Sequence, residues 1–161
     1  MTVVEHRIDT TDHPEIQTRL MSSLDEMEQI YHVRREVFVL EQGLTGTVYD
    51  DPDDRYSYHV LATVGDVLAG VGRMTMIGQE GQIAWLAVLR EHRRSGVGRA
   101  IMAHLLQTAA DDGAKHVTLN AQTHALAFYT AFGFQPIGRR FSMSRIEHQL
   151  MVLQLSETRS S

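Results

Sequence analysis

Seven consecutive residues, Arg93-Arg94-Ser95-Gly96-Val97-Gly98-Arg99, have the types and the order needed to hold a phosphorylated ligand. They lie where an apolar run, Gln82 to Leu89, gives way to a helix-forming stretch. The first turn of a helix offers backbone N–H groups without internal partners, and the helix dipole favours an anion there. Glycines at 96 and 98 remove side chains that would hold an anion at a distance and permit positive φ, while Arg93, Arg94 and Arg99 add charge around the same point. A pyrophosphate uses all of these features. No Lys-Ser or Lys-Thr pair follows the second glycine and the spacing is not G-x-G-x-x-G, so ATP hydrolysis and nicotinamide chemistry fall away. Taken alone, the same residues also describe a turn followed by a solvated basic face.

The elements that must position this loop can be read from hydrophobic period. Ile16 to Met21 reads as a first strand. Ser23 stands three residues before Glu26, a capping-box spacing, and opens a helix whose apolar residues Leu24, Met27, Ile30, Tyr31, Val37 and Phe38 recur at helical intervals up to a stop near Gly43. The acidic run Asp50-Asp51-Pro52-Asp53-Asp54 reads as a solvated loop. Tyr58 to Val64 and Val67 to Met76, joined by Gly65-Asp66, form an antiparallel hairpin. Gln82 to Leu89, a helix with Ile101, Leu105, Leu106 and Ala109 on its buried stripe, and Val117 to Ala121 make a right-handed βαβ unit with the phosphate loop inside it. A short helix from Ala125 to Phe132, a stop at Gly133, and strands near Phe134 to Arg139 and Gln149 to Leu155 complete an α/β chain. Residues 3–8 and 156–161 are extensions outside this pattern.

Composition narrows the chemistry. The 161 residues predict a single domain. The chain has no cysteine, which removes disulfides, thiolate catalysis and cysteine-bound metal. Nine histidines are scattered without the H-E-x-x-H spacing, so no metal is expected. A net charge of −5 argues against nucleic acid as a partner of the arginine cluster. No apolar run reaches the ~18 residues of a membrane span, and Met1 to Glu5 lacks the order of a secretion signal, so the expectation is a cytoplasmic protein with no membrane partner.

With the order of elements in place, Arg93-x-x-Gly96-x-Gly98 after an apolar strand resembles the acetyl-CoA pyrophosphate loop of GNAT N-acetyltransferases. Ala125-x-x-Phe128-Tyr129-x-x-Phe132-Gly133-Phe134 resembles the family's second conserved region at the appropriate distance. Arg34-x-x-Val37-Phe38-Val39-x-Glu41-Gln42, Ala121-Gln122, and Phe141 with His148 and Met151 are similar to the ElaA/YjcF-type branch. The likeness spans about residues 24 to 155. Ser142, Met143 and Ser144-Arg145 depart from it, since that branch often has a glutamate and a glycine there.

The resemblance implies a GNAT-like mixed, splayed central sheet flanked by helices, acetyl-CoA as co-substrate, and an amine acceptor on a small molecule or peptide. It implies that the phosphates meet Arg93 to Arg99 and that the pantetheine arm lies along Leu86, Ala87 and Val88, where a backbone N–H near Ala87 or Val88 polarises the thioester carbonyl. Gln122 stands where many members carry a cofactor-side asparagine. Tyr129 takes the role of protonating the departing thiolate. Glu41, in the motif on the family's substrate side, leads as the base, ahead of His59 and His148. Arg34 and Arg73 either bind an acceptor carboxylate or pair with acidic neighbours. Homodimerisation is a family-level expectation. Two other readings stay open at this point: a CoA-binding regulatory module without turnover, and an acyl-homoserine-lactone-synthase-like enzyme, which Arg34-x-x-Val37-Phe38 also resembles.

Overall fold

A computed structural model describes residues 15–155, so the extensions expected at 3–8 and 156–161 lie outside the described residues. Seven strands form one sheet: β1 Ile16–Leu20, β2 Tyr58–Val64, β3 Val67–Ile77, β4 Glu80–Val88, β5 His116–Gln122, β6 Gln135–Met143 and β7 Ile146–Gln154. Their spatial order is β1-β2-β3-β4-β5-β7-β6. All neighbours are antiparallel except β4 and β5, which run parallel as the two ends of a βαβ crossover. This is the mixed α/β sheet that the sequence led us to expect.

Helices cover both faces. Helix α1, Met27–Arg34, runs on through π-helical turns at Arg35–Glu41 and stops at Gly43, whose φ of 76° suits glycine. Its residues Ile30, Val33 and Val37 pack on Leu61, Val71 and Ala87. On the opposite face α2, Val97–Asp111, buries Ile101 and Leu105 among Met74, Val117 and Leu119. The short α3, Leu126–Thr130, packs Phe128 and Tyr129 against that same core. Glycines let α2 lie close: a Cβ on Gly72 would stand 2.7 Å from Ile101 Cγ2, and one on Gly70 would stand 3.0 Å from Ile101 Cδ1. Because α2 starts at the Arg93-to-Arg99 loop, this close docking fixes where the loop sits.

The main departure from the sequence reading lies at the carboxyl end. The last two strands are longer than expected, joined by a tight turn at Ser144-Arg145, both at positive φ (53° and 66°). Two-residue hairpins of this kind usually announce themselves by Asn-Gly or Asp-Gly, a signal Ser-Arg does not give. No helix among the described residues is long and apolar enough to cross a membrane.

Candidate active site

The site arises from a sheet that stops pairing halfway. Strands β4 and β5 are paired only from Glu80 with His116 to Ile83 with Leu119. Beyond Ile83 the two strands part, and β5 stays with β7 through Gln122 and His148. Strand β4 also bulges: its register on β3 shifts between Val71–Ala87 and Arg73–Ala84, and Trp85 sits in the bulge at a φ of 56°. The edge of β4 after Ala84 therefore faces an opening rather than a neighbour. Leu89 donates its N–H to the Ala69 carbonyl at 2.8 Å. By strand alternation the Val88 N–H points the other way, into the opening, which selects Val88 over Ala87 as the free donor.

Around the opening runs a cleft of about 1370 Å³. Of the site residues singled out in the sequence, all but Val97, Glu41, Arg34 and His59 line it. Val97 is 1% exposed and belongs to the core, so it brings only its backbone to the loop. Gly96 stands at the N-cap of α2 with a φ of 96°, a conformation that disfavours side chains, and Arg94 has a φ of 62°. Gly98 faces Phe128 and Val88, which a Cβ there would meet at 3.4 and 3.7 Å. Arg93 donates from Nε to the Val88 carbonyl at 2.9 Å, tying the loop to the open edge of β4.

Tyr129 enters from the α2 face. Its ring packs edge-on against Phe128 at 5.1 Å and Phe134 at 6.2 Å. Burial pushes its phenol up to about 12, so it carries its proton throughout the neutral range.

The α1 face is organised by a buried ion network, which settles Arg34 and Arg73 as partners of acidic neighbours. Arg34, fully buried, donates to Asp54 at 2.8 and 3.1 Å and to the Val48 carbonyl at 3.2 Å, and lies 4.8 Å over the Trp85 ring. Arg73 joins Asp51 at 2.8 Å to Asp54 at 3.0 Å. The Trp85 indole donates to Asp51 at 3.0 Å. The acidic run is thus folded into the protein as a 3₁₀ turn at Pro52–Tyr56, and the solvated-loop reading of it is corrected. Its signal was present: Arg34 and Arg73 on core faces need buried partners. Only Arg73 and Asp51 of these four ions touch the cleft.

Burial alone would raise the Asp51 carboxyl, but the Trp85 indole, the Asp53 amide and Arg73 outweigh it and hold it at about 2, against 3.8. A depressed folded value stabilises the protein above the unfolded pKa and is lost as pH falls through the folded one. Stability is therefore expected to fall as pH drops from about 4 toward 2, with Glu26, held at about 2 by Arg19 and the Ser22 and Ser23 amides, adding to the loss. Urea midpoints measured from pH 5 to 3 check this, and Asp51→Asn should show the shallower slope.

Glu41 is placed differently from its sequence expectation. It lies outside the cleft and receives both guanidinium nitrogens of Arg93, at 2.9 and 2.6 Å, with Arg90 at 3.4 Å. Hydrogen bonding from Arg93 holds its carboxyl below the usual range, which makes it a weak base and a firm anchor for the loop arginine. Gln122 exchanges two hydrogen bonds with Gln42, at 2.9 and 3.3 Å, bridging β5 to the end of the π-helical turns. His59 is absent from the cleft wall and gives Nε2–H to the Asp54 carbonyl at 2.8 Å. His148, by contrast, lines the cleft. Among the described residues no cluster of three metal-ligating side chains occurs.

A family model for the acetyltransferase (GNAT) domain matches residues 20–155. The uncharacterized N-acetyltransferase YjcF of Bacillus subtilis is 35% identical over 129 residues, covering 80% of this chain and 92% of that protein. Among solved structures, Escherichia coli ElaA is similar with a TM-score of 0.75 at 26% identity, over 86% of this chain and 98% of that one. A Bacillus subtilis acetyltransferase in complex with CoA has a TM-score of 0.67 at 17% identity, over 88% of this chain and 100% of that one.

Proposed function

The chain belongs to the GNAT acetyltransferase family, and from that premise we propose that it moves an acetyl group from acetyl-CoA to a primary amine of a small molecule or peptide by direct attack in a ternary complex. The observation that carries this reading is the single cleft that joins the Arg93-to-Arg99 loop, the unpaired edge of β4 and Tyr129. The similar Bacillus subtilis acetyltransferase with CoA bound supports the choice of donor.

In this reading Arg93, Arg94, Arg99 and the first backbone N–H groups of α2 hold the CoA phosphates. The pantetheine amides pair with the free edge of β4 as an added strand would, and the Val88 N–H polarises the thioester carbonyl. Attack by the amine forms the C–N bond and breaks the C–S bond. Tyr129 then donates its hydrogen bond to the sulfur as negative charge collects there. Gln122 borders the same opening, and its bond to Gln42 must yield or turn if the arm reaches that far. Glu41 serves by holding Arg93 rather than by taking a proton.

Calorimetry with acetyl-CoA, followed by thiol release in the presence of an amine panel, tests the proposal. With no cysteine in the chain, every thiol detected comes from CoA. Micromolar binding with amine-dependent thiol release is the expected result. Binding without release under any amine or hydroxylamine would favour a CoA-binding regulatory module, and no binding by folded protein would remove the donor assignment.

A further inference from the structure

We propose that His148 is the base that takes the proton from the attacking amine, and that the acceptor reaches the thioester from the α1 face of the sheet. The inference rests on the acetyl-transfer reading above and identifies the group that reading lacks.

His148 Nδ1 lies 2.7 Å from the carbonyl oxygen of Ile146. A carbonyl only accepts, so Nδ1 carries the hydrogen, and in the neutral ring the lone pair is then on Nε2. Nε2 has no hydrogen-bond partner among the described residues, and it is not one of their sealed, unpartnered atoms. The ring is held rather than free: His148 is 5% exposed and stacks on Phe141 at 5.8 Å and 22°. A fixed imidazole with its lone pair open to a cleft has the form of a general base.

Its place in the sheet supplies the second line of argument. His148 is the register partner of Gln122, so the two side chains share a face. Gln122 reaches Gln42 at the end of α1, whereas Val117, Leu119 and Ala121 of β5 point into the α2 core with Tyr129. His148 and Tyr129 thus border one cleft from opposite faces of the sheet. The attacking amine approaches a thioester carbonyl from above or below its plane while the leaving sulfur lies in that plane, so the group that takes the amine's proton and the group that meets the sulfur stand at different positions, as His148 and Tyr129 do here. The competing groups are engaged or unfixed: Glu41 is held by two arginines outside the cleft, Asp51 is bonded to Trp85 and Arg73, His59 is away from the wall, and His124 is exposed on the turn before α3 with no hydrogen bond to its ring among the described residues.

As nitrogen bonds to the thioester carbon, its proton passes to Nε2. The C–S electron pair goes to sulfur, which accepts a hydrogen bond from Tyr129 as the charge collects and then takes its proton, through water, from the imidazolium. This leaves an amide, a neutral imidazole and free CoA thiol.

Two small nucleophiles that need no recognition test the assignment: water, which must lose a proton to attack, and hydroxylamine, which is largely unprotonated at neutral pH. Thiol release from acetyl-CoA is followed in wild type, His148→Ala and His148→Asn, whose amide can still reach the Ile146 carbonyl if the alanine variant misfolds. We expect the water reaction to fall about 100-fold in both variants. The hydroxylamine reaction should fall by about tenfold or less, CoA affinity by calorimetry should stay unchanged, and added imidazole should restore the water reaction in His148→Ala. Equal losses with both nucleophiles at unchanged CoA affinity, or no loss with water, would overturn the role of His148. Thiol release with neither nucleophile in wild type would instead sink the acetyl-transfer reading on which it depends.

Discussion

Replacing Tyr129 by phenylalanine is expected to lower kcat about 100-fold, roughly 2.7 kcal/mol of transition-state stabilisation, with little change in the KM for acetyl-CoA. The substitution is clean because the phenol oxygen has no hydrogen-bond partner among the described residues, and the ring contacts with Phe128 and Phe134 survive. What is lost is a hydrogen donor at the end of a buried ring. The size of the effect also follows from its pKa. A phenol at about 12 cannot hand its proton completely to a thiolate with an ordinary thiol value near ~8.5 without climbing more than ~3 units. Its contribution therefore comes while the C–S bond is breaking, as a hydrogen bond that strengthens with the charge on sulfur. Such an interaction exists only in the transition state, so it appears in kcat. An unchanged rate in Tyr129→Phe under conditions where the chemical step limits turnover would remove Tyr129 from the mechanism.

The second large effect is expected from Gly98→Glu. A glutamate in the first turn of α2 suits the helix dipole and gains helix propensity over glycine, so the fold should persist. The same carboxylate would project into the cleft where the phosphates are proposed to bind, and like charges brought together in this way cost several kcal/mol. Acetyl-CoA affinity should fall by about 100-fold or more in calorimetry, while the circular dichroism spectrum and melting transition stay close to wild type. Binding retained by the folded variant would mean that the phosphates lie elsewhere.

The loop from Arg93 to Arg99 was legible because its sequence signal is local. Gly96, Gly98 and three arginines at a helix start declare themselves within seven residues, and the order strand, loop, helix, strand around them is enough to predict the parallel pair that carries them. The sheet faces, the α1 stop at Gly43 and the crossover were readable for the same reason: each depends on period or on a glycine. What could not be read depends on pairs distant in sequence. Nothing near Asp54 says that Arg34, twenty positions earlier, will be buried against it. Trp85 at positive φ is not a preference any local pattern encodes, since it depends on a bulge set by two other strands. Glu41 was chosen for its place in a motif, but Arg93, fifty-two positions away, engages its carboxylate. His148 ranked with His59 behind Glu41 as a candidate base until the Ile146 carbonyl fixed which of its nitrogens holds the proton.

Trp85 also gives the protein a built-in spectroscopic signal. It is the chain's only tryptophan, it borders the cleft, and its indole N–H is bonded to Asp51 beneath the Arg34 guanidinium. Its emission therefore reports a single, known environment with no background from other indoles. Occupancy of the opening beside it should alter its polarity and quenching directly, whereas a ligand confined to the Arg93-to-Arg99 loop, such as inorganic pyrophosphate, should leave it nearly constant. With CoA already bound, stopped-flow fluorescence without any added label would then time the arrival of an acceptor, and amines could be screened by optical titration before any turnover is observed.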